Sequence, residues 1–410
     1  MQETSHLSRL KNTLTMVLAG GQGERLYPLT RDRAKPAVPF GSIYRIIDFT
    51  LSNCLNSGLR RIYVLTQYKS SSLDRHLQLG WSILNNELGE YIYTIPPQFR
   101  LSDNWYRGTA DAIFQNIYTL EMERPERVLI LSGDHIYKMD YGRMIQAHID
   151  TGAHLTVACI EVPIEEATQL GVMEVDEDAR IIGFEEKPEV PKPTPDHPNQ
   201  ALASMGVYVF NTSTLVRTIS EDARRDTAHD FGKNIIPSLV QAGKVFAFNF
   251  KNGNCNRTVY WRDIGLLDAY WETSMDLISD VPEFDLYDRA WPIRTYHSPY
   301  PPSRLLFDEI DGGLTRAVIA EGCVVNKACI ERSVLSNGVH IDPGAHVSEC
   351  ILMEGARIGS HARLHRVIVD KSVDIPPNCQ IGQNPEDDKR RFTVTPKGIV
   401  VVPGGLPVEP

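Results

Sequence analysis

Thr15-Met16-Val17-Leu18-Ala19-Gly20-Gly21-Gln22-Gly23-Glu24-Arg25-Leu26-Tyr27-Pro28-Leu29-Thr30 runs an apolar strand straight into a glycine loop that carries an arginine. Glycines lack a side chain, so backbone N–H groups approach phosphate oxygens closely, and Arg25 adds a fixed positive charge. The segment reads either as an anion site or as ordinary α/β punctuation. Its spacing is neither the dinucleotide fingerprint nor the P-loop, since no Gly-Lys-Ser/Thr follows. Just downstream, Arg31-Asp32-Arg33-Ala34-Lys35 brings two arginines and a lysine, which favours a polyanionic ligand.

Outward from this strand, β-branched runs at 61–66, 128–132 and 155–160 alternate with amphipathic stretches at 110–120 and 141–149. That alternation predicts an α/β fold with a mixed, mostly parallel sheet covered by helices. Further strands are expected at 171–175, 180–184, 205–210 and 245–250, with helices at 230–241 and 266–278. Pro188, Pro191, Pro193, Pro195 and Pro198 mark an exposed loop. A strap rich in Pro and aromatics, 281–304, then crosses into a different pattern. Aliphatics recur at Val318, Val324, Ile330, Leu335, Ile341, Val347, Met353, Ile358, Leu364, Val369, Ile375 and Ile381, in steps of six or occasionally five. Neither an α-helix nor a flat strand has such a period; it predicts a parallel β-helix whose stacked coils bury the aliphatic column. The chain therefore divides into 1–290, a catalytic domain, and 291–410, strap and β-helix. The open ends of the solenoid favour self-association.

With 42 Lys and Arg against 52 Asp and Glu, the net charge is −10, which argues against a nucleic-acid or anionic-membrane surface. The seven cysteines form no Cys-x-x-Cys pair and no zinc-spaced cluster, so reduced thiols in a cytoplasmic protein are expected. No apolar run is long enough for a signal peptide or a membrane span.

Two strand ends carry acid. Val128-Leu129-Ile130-Leu131-Ser132-Gly133-Asp134 places Asp134 where open α/β sheets bind ligands, to hold Mg²⁺ between phosphates or to cap the next turn. Asp263, in Tyr260-Trp261-Arg262-Asp263, is a second candidate for the same ion. Asn104-Trp105-Tyr106-Arg107-Gly108-Thr109-Ala110-Asp111-Ala112 supplies a helix N-terminus with room for a base or a sugar. Read on its own spacing, Glu185-Glu186-Lys187-Pro188 is a solvated charge cluster, and Ser204 is unremarkable.

Taken together, Leu18 to Leu26, Arg33-Ala34-Lys35-Pro36-Ala37-Val38, Arg45-Ile46-Ile47-Asp48-Phe49, Asn104 to Ala112, Ser132 to Tyr137, Phe184-Glu185-Glu186-Lys187-Pro188 and Tyr260 to Asp263 closely resemble the nucleotide-sugar pyrophosphorylases. Within them, the Arg-Ala-Lys-Pro and Asn-Trp-Tyr-Arg-Gly-Thr-Ala-Asp segments joined to a β-helix resemble the ADP-glucose pyrophosphorylase family. The resemblance implies a Rossmann-like nucleotidyltransferase domain, a left-handed β-helix, and Mg²⁺-dependent conversion of ATP and α-glucose 1-phosphate to ADP-glucose and pyrophosphate for glycogen or starch synthesis. It implies that Leu18, Ala19, Gly20, Gly21, Gly23, Arg25, Lys35, Gln67, Trp105, Gly108 and Thr109 bind ATP, with Arg25 stabilising the leaving pyrophosphate. Asp134 and Asp263 would hold the metal. Tyr106, Gly171, Glu186, Ser204, Asp263 and Lys187 would bind glucose 1-phosphate, Lys187 at its phosphate; Arg25, Asp134 and Lys187 would be the catalytic set. A homotetramer regulated by phosphorylated metabolites is also implied, with Arg33, Arg45, Arg390 and Arg391 as effector-binding groups. Asp32, Pro39 and Met122 stand where many enteric-type relatives carry basic residues, so an activator other than fructose 1,6-bisphosphate is expected. The rival readings are a uridylyl or thymidylyl transferase and a silent regulatory subunit of the same fold.

Overall fold

A computed structural model describes residues 9–98, 104–194, 197–253, 260–307 and 313–409; of the proline-loop residues, Pro195 lies outside them. The opening strand, Thr13–Ala19, is almost wholly buried and sits near the middle of a nine-stranded sheet. It pairs in parallel with Arg61–Thr66 on one side and Arg127–Ser132 on the other, and Tyr91–Ile95 extends the sheet beyond Arg61–Thr66. Strands covered by helices on both faces read as continuous apolar runs, which is why Val128 to Leu131 carry no polar residue. On the far side the sheet turns antiparallel through Gln200–Asn211, followed by Gly171–Val175 and Ile181–Glu186. Leu155–Pro163 also pairs with Gln200–Asn211 and carries the last strand, Val245–Asn249.

The parallel strands all end at one edge, so the turns after Ala19, Thr66 and Ser132 lie side by side there. A small antiparallel ribbon, His135–Tyr137 with Trp261–Asp263, folds over the same edge and pairs Asp263 with His135.

Several elements differ from the periodicity. The stretch expected as one helix over 110–120 is two, Thr109–Phe114 and Ile117–Glu123. Asn116 breaks it by folding its side-chain amide back onto the Ala112 carbonyl, 2.8 Å away. The helix expected at 230–241 opens with a π turn, Phe231–Ile235. Ile46–Asn56 is an unanticipated helix because ten of its eleven residues are buried, leaving no polar face to create a period.

Beyond 303 the chain coils as the hexapeptide period predicts. Cys329, His346, Arg363 and Gln380 stack in register, one coil apart. The inward rows are Val325, Ile341, Ile358 and Ile375 on one side, and Ile319, Leu335, Leu352, Val369 and Val402 on another. Val318, Val324 and Met353 therefore stand one residue off the column assigned from the period. Val318 instead lines up with Val334, Ile351, Ile368 and Val401 on an outward row that packs against the catalytic domain. Both sides of that wall are apolar, so aliphatic spacing alone cannot tell its two rows apart.

The two parts share one apolar core, in which Phe40, Phe49, Tyr270 and Trp271 meet that outward row. Polar clamps cross the seam. Arg33 pairs with Asp370 at 2.8 Å, Arg31 donates to the Gly404 carbonyl at 2.6 Å, and Trp271 donates to the Glu349 carbonyl at 2.9 Å beneath the Arg366 guanidinium. The strap is pinned to helix Ile46–Asn56 through Trp291 on Asn53 and the Arg294 amide on Ser52, both at 2.8 Å.

Candidate active site

Where Thr13–Ala19 ends, the chain turns through Gly20, Gly21 and Gly23 into a short 3₁₀ turn, Glu24–Leu26. Gly21 faces open space, whereas Gly23 takes φ +68° close against Thr30 and Lys35, a conformation that disfavours a side chain. Thr30 fixes this turn by donating to the Gly23 carbonyl at 2.9 Å. The loop walls a cavity of about 490 Å³ lined by Leu18, Ala19, Gly21, Gly23, Arg25, Lys35 and Asp134, among others. Arg25 is exposed at its mouth and makes no ion pair among the described residues. It lies near Asp263: a methyl group added at Gly265 would fall 3.3 Å from Arg25 Nη2 and 3.1 Å from Asp263 Oδ2.

Asp134 and Asp263 do meet. Lys35 Nζ lies 2.8 Å from Asp134 Oδ2 and 3.2 Å from Asp263 Oδ1, joining two acids far apart in sequence. Burial opposes the charge on Lys35, but the two carboxylates outweigh it and raise its pKa above the usual value. Burial likewise opposes ionisation of Asp134, yet the charges of Lys35 and His135, with hydrogen bonds from Lys35 and Ser132, hold it well below the usual carboxylate range. Asp134 is thus charged at neutral pH, and the convergent oxygens of the two acids suit a hard divalent ion such as Mg²⁺.

Further along the same edge, Gly171 opposes Glu186 across two antiparallel strands. Glu186 Oε2 would lie 2.8 Å from a methyl group at Gly171 and 2.4 Å from one at Gly232, so both glycines make room for this carboxylate. Its pKa is raised, first by burial and then by Asp230, against the charges of Lys187 and Lys233. Ser204 lies in the neighbouring strand, where a bulge before Tyr208 and a positive φ at Gly206 bring the backbone against the His135 ring. Lys187 ends its strand at φ +53°, its N–H on the Leu170 carbonyl at 3.0 Å, outside the lining of the phosphate-loop cavity.

Gln67 and Trp105 come together over the edge. The Tyr106 amide donates to Gln67 Oε1 at 2.7 Å, and Trp105 stacks on Tyr68 with centroids 5.0 Å apart. Gly108 and Thr109 are both tied to the 228–230 segment. A methyl group at Gly108 would lie 2.3 Å from the Ala228 carbonyl oxygen, and the Thr109 hydroxyl is tied to Asp230 at 2.9 Å.

Of the four arginines expected to bind an effector, two are in ion pairs and one lines a cavity. Arg33 is in the buried pair with Asp370, while Arg390 and Arg391 belong to the separate helix Pro385–Arg391, where Arg391 pairs with Asp387. Arg45 alone lines a second cavity, of about 600 Å³, between the catalytic domain and the β-helix. There the structure adds Arg75, His76 and Lys371, which no local motif marked. Asp32 and Pro39 line it as well.

A phosphate loop and a carboxylate pair on one edge of an α/β sheet, joined to a hexapeptide coil, define a nucleotidyl-transfer protein. The nucleotidyl transferase family model matches residues 14–280, and a model of the GlmU-like C-terminal hexapeptide matches 301–402. A glucose-1-phosphate adenylyltransferase of Rhodopirellula baltica is 49% identical over 98% of this chain and 92% of its own length. Glucose-1-phosphate adenylyltransferase 2 of Vibrio cholerae is 48% identical over 96% of this chain and 98% of its own. The chain belongs to the glucose-1-phosphate adenylyltransferase family. Among the described residues, no helix is long and apolar enough to cross a membrane.

Proposed function

We propose that this chain transfers the adenylyl group of ATP to α-D-glucose 1-phosphate, releasing pyrophosphate and forming ADP-glucose, the first committed step of glycogen or starch synthesis. The observation that carries the reading is the convergence of Arg25, Lys35 and the Asp134–Asp263 pair at the mouth of the glycine loop. Gly171, Glu186 and Ser204 lie together on the same sheet edge, where a sugar would be held.

A phosphate monoester, with a second pKa near ~6, is mostly dianionic at neutral pH and needs no general base to attack the α-phosphorus. The obstacle is repulsion between two polyanions. Arg25 faces the departing pyrophosphate, Lys187 grips the glucose 1-phosphate, and the glycine loop fixes the triphosphate in line. Asp134 and Asp263 would hold Mg²⁺, which supplies further charge neutralisation when bound. Attack is direct, so trapping a nucleotidylated protein would refute this route.

The reading extends to control. Arg45, Arg75 and Lys371 give the cavity between the domains the charge to bind a phosphorylated metabolite, with Asp32 and Pro39 shaping it against fructose 1,6-bisphosphate. The active form is a cytoplasmic homotetramer. Pyrophosphate release across four nucleoside triphosphates and several sugar 1-phosphates tests the central reaction. Efficient turnover is expected only with ATP and glucose 1-phosphate; preference for UTP or dTTP would overturn it.

A further inference from the structure

The geometry points to His135 as a third protein donor to the divalent ion, so that the site has a nitrogen ligand beside its two carboxylates. The inference rests on the metal reading of Asp134 and Asp263 given above.

His135 and Asp263 are register partners in the small antiparallel ribbon, so their side chains project from the same face of it. Asp134 precedes His135 in the chain and turns back toward the same point. His135 Nε2 lies 3.4 Å from Asp134 Oδ1 and 3.8 Å from Asp263 Oδ1. Donors about 2.1 Å from one octahedral ion stand about 3.0 Å apart when adjacent and about 4.2 Å when opposite. Both separations fall between those limits, and all three donor atoms lie within 4.8 Å of one another. The distances are also too long for a good hydrogen bond from His135 to either acid.

The imidazole is only 9% exposed, and its Nδ1 has no hydrogen-bond partner among the described residues. Packing holds the ring instead. Trp261 meets it edge to face, with centroids 5.1 Å apart, and the Gly206 backbone lies alongside Cε1. A buried imidazole fixed by packing, with one nitrogen aimed between two carboxylates, is placed as a ligand is placed. Lys35 does not block it, because Nζ takes Asp134 Oδ2 and leaves Oδ1 to Ser132 and to the side facing His135. Its contact on Asp263 Oδ1 is the one an entering ion must share or displace.

A site with one nitrogen and two carboxylate donors favours Mn²⁺ and Co²⁺ over Mg²⁺ more strongly than an all-oxygen site, because imidazole suits the transition ions and Mg²⁺ prefers oxygen. The test uses the full-length protein, labelled with ¹⁵N-histidine, loaded with Mn²⁺ and read by pulsed electron paramagnetic resonance without turnover. A histidine nitrogen coupling is expected in the wild type and is lost in His135→Gln and in His135→Asn. Mn²⁺ affinity should fall ~10-fold or more in both variants, and Mg²⁺ affinity by less, because imidazole is the poorer donor for Mg²⁺. Should one variant misfold, the other and the wild-type spectrum still decide. Bound Mn²⁺ with no nitrogen coupling, or a coupling that survives both substitutions, overturns the His135 assignment and leaves the carboxylate site standing. Mn²⁺ affinity unchanged in Asp134→Asn would instead overturn the metal site itself, and the inference with it.

Discussion

Replacing His148 tests a consequence of how the helix Tyr141–Asp150 is anchored to the sheet. The ring is 1% exposed. Its Nδ1 lies 2.8 Å from the Thr156 hydroxyl and its Nε2 lies 3.2 Å from Asn211 Oδ1. Because the Asn211 amide nitrogen donates to the Ala153 carbonyl at 2.8 Å, Oδ1 is left as an acceptor, so the proton sits on Nε2 and the neutral ring is satisfied at both ends. Burial, with the charges of Arg127 and His154 and against the Asn211 hydrogen bond, lowers the His148 pKa from 6.5 to about 4. The unfolded chain therefore binds a proton that the folded chain refuses between those values. Stability contributed by the neutral ring is complete above pH 6.5 and is lost as pH falls from there toward 4, at most ~1.4 kcal/mol per pH unit and about 3 kcal/mol in all. His148→Gln removes the titration. At pH 8 the variant should be less stable by about 1–3 kcal/mol, for its lost hydrogen bonds, and the two denaturant-unfolding curves, taken at one protein concentration, should converge toward pH 4.5. A gap of constant size from pH 8 to 4.5 would refute the argument.

Four further outcomes follow from the site and the seam. Asp134→Asn should lower kcat by about 10²–10³-fold, since it removes charge from the reacting site without changing volume; unaltered turnover would dismiss the metal assignment. Lys187→Ala should raise the KM for glucose 1-phosphate about 10–100-fold, as expected for one charge-assisted hydrogen bond, and a rise confined to the KM for ATP would show the role wrong. Arg33→Ala leaves Asp370, whose side chain is 6% exposed, without its partner and should cost about 3–5 kcal/mol in chemical denaturation, with Asp370→Asn restoring part of it; additive losses in the double variant would deny the coupling. Gly108→Ala sets a methyl group 2.3 and 2.4 Å from the carbonyl oxygens of Ala228 and His229, so the apoprotein should lose about 1–3 kcal/mol. If its melting temperature holds and only nucleotide binding suffers, Gly108 acts on the ligand rather than on the fold.

The sequence spoke most clearly where one physical demand acts on consecutive residues. A strand buried on both faces must be continuously apolar, and a turn that cradles phosphate must be glycine-rich, so Thr13–Ala19 and the loop after it were legible together. The six-residue period likewise follows from coil geometry, but its register did not. Val318 and Ile319 are both aliphatic because one packs on the catalytic domain and the other inside the coil, and a period cannot choose between two apolar rows. Helix Ile46–Asn56 was hidden for a related reason: it is buried all round, so its polar residues Asp48, Thr50, Ser52 and Asn53 fall on no solvent face that would create a period.

Sites assembled from distant segments were legible only where each piece carried its own mark. Asp134 and Asp263 each end a strand, and that position alone made them candidates, although nothing local tied them to Lys35 or to the ring of His135. The cavity between the domains was marked only at Asp32, Pro39 and Arg45, and there by resemblance rather than by any local pattern. Arg45, Arg75 and Lys371 come from a helix start, a helix interior and a coil turn, and only the docking of the β-helix on the catalytic domain brings them together. That docking also gives Arg33 a partner the sequence did not show. With a carboxylate 2.8 Å away across the seam and little solvent exposure, its guanidinium is committed to the join. The cation that holds the domains together thus lies beside the cavity whose shape depends on their docking, and Arg33 already bears on Arg45, its charge helping to lower the Arg45 pKa after burial.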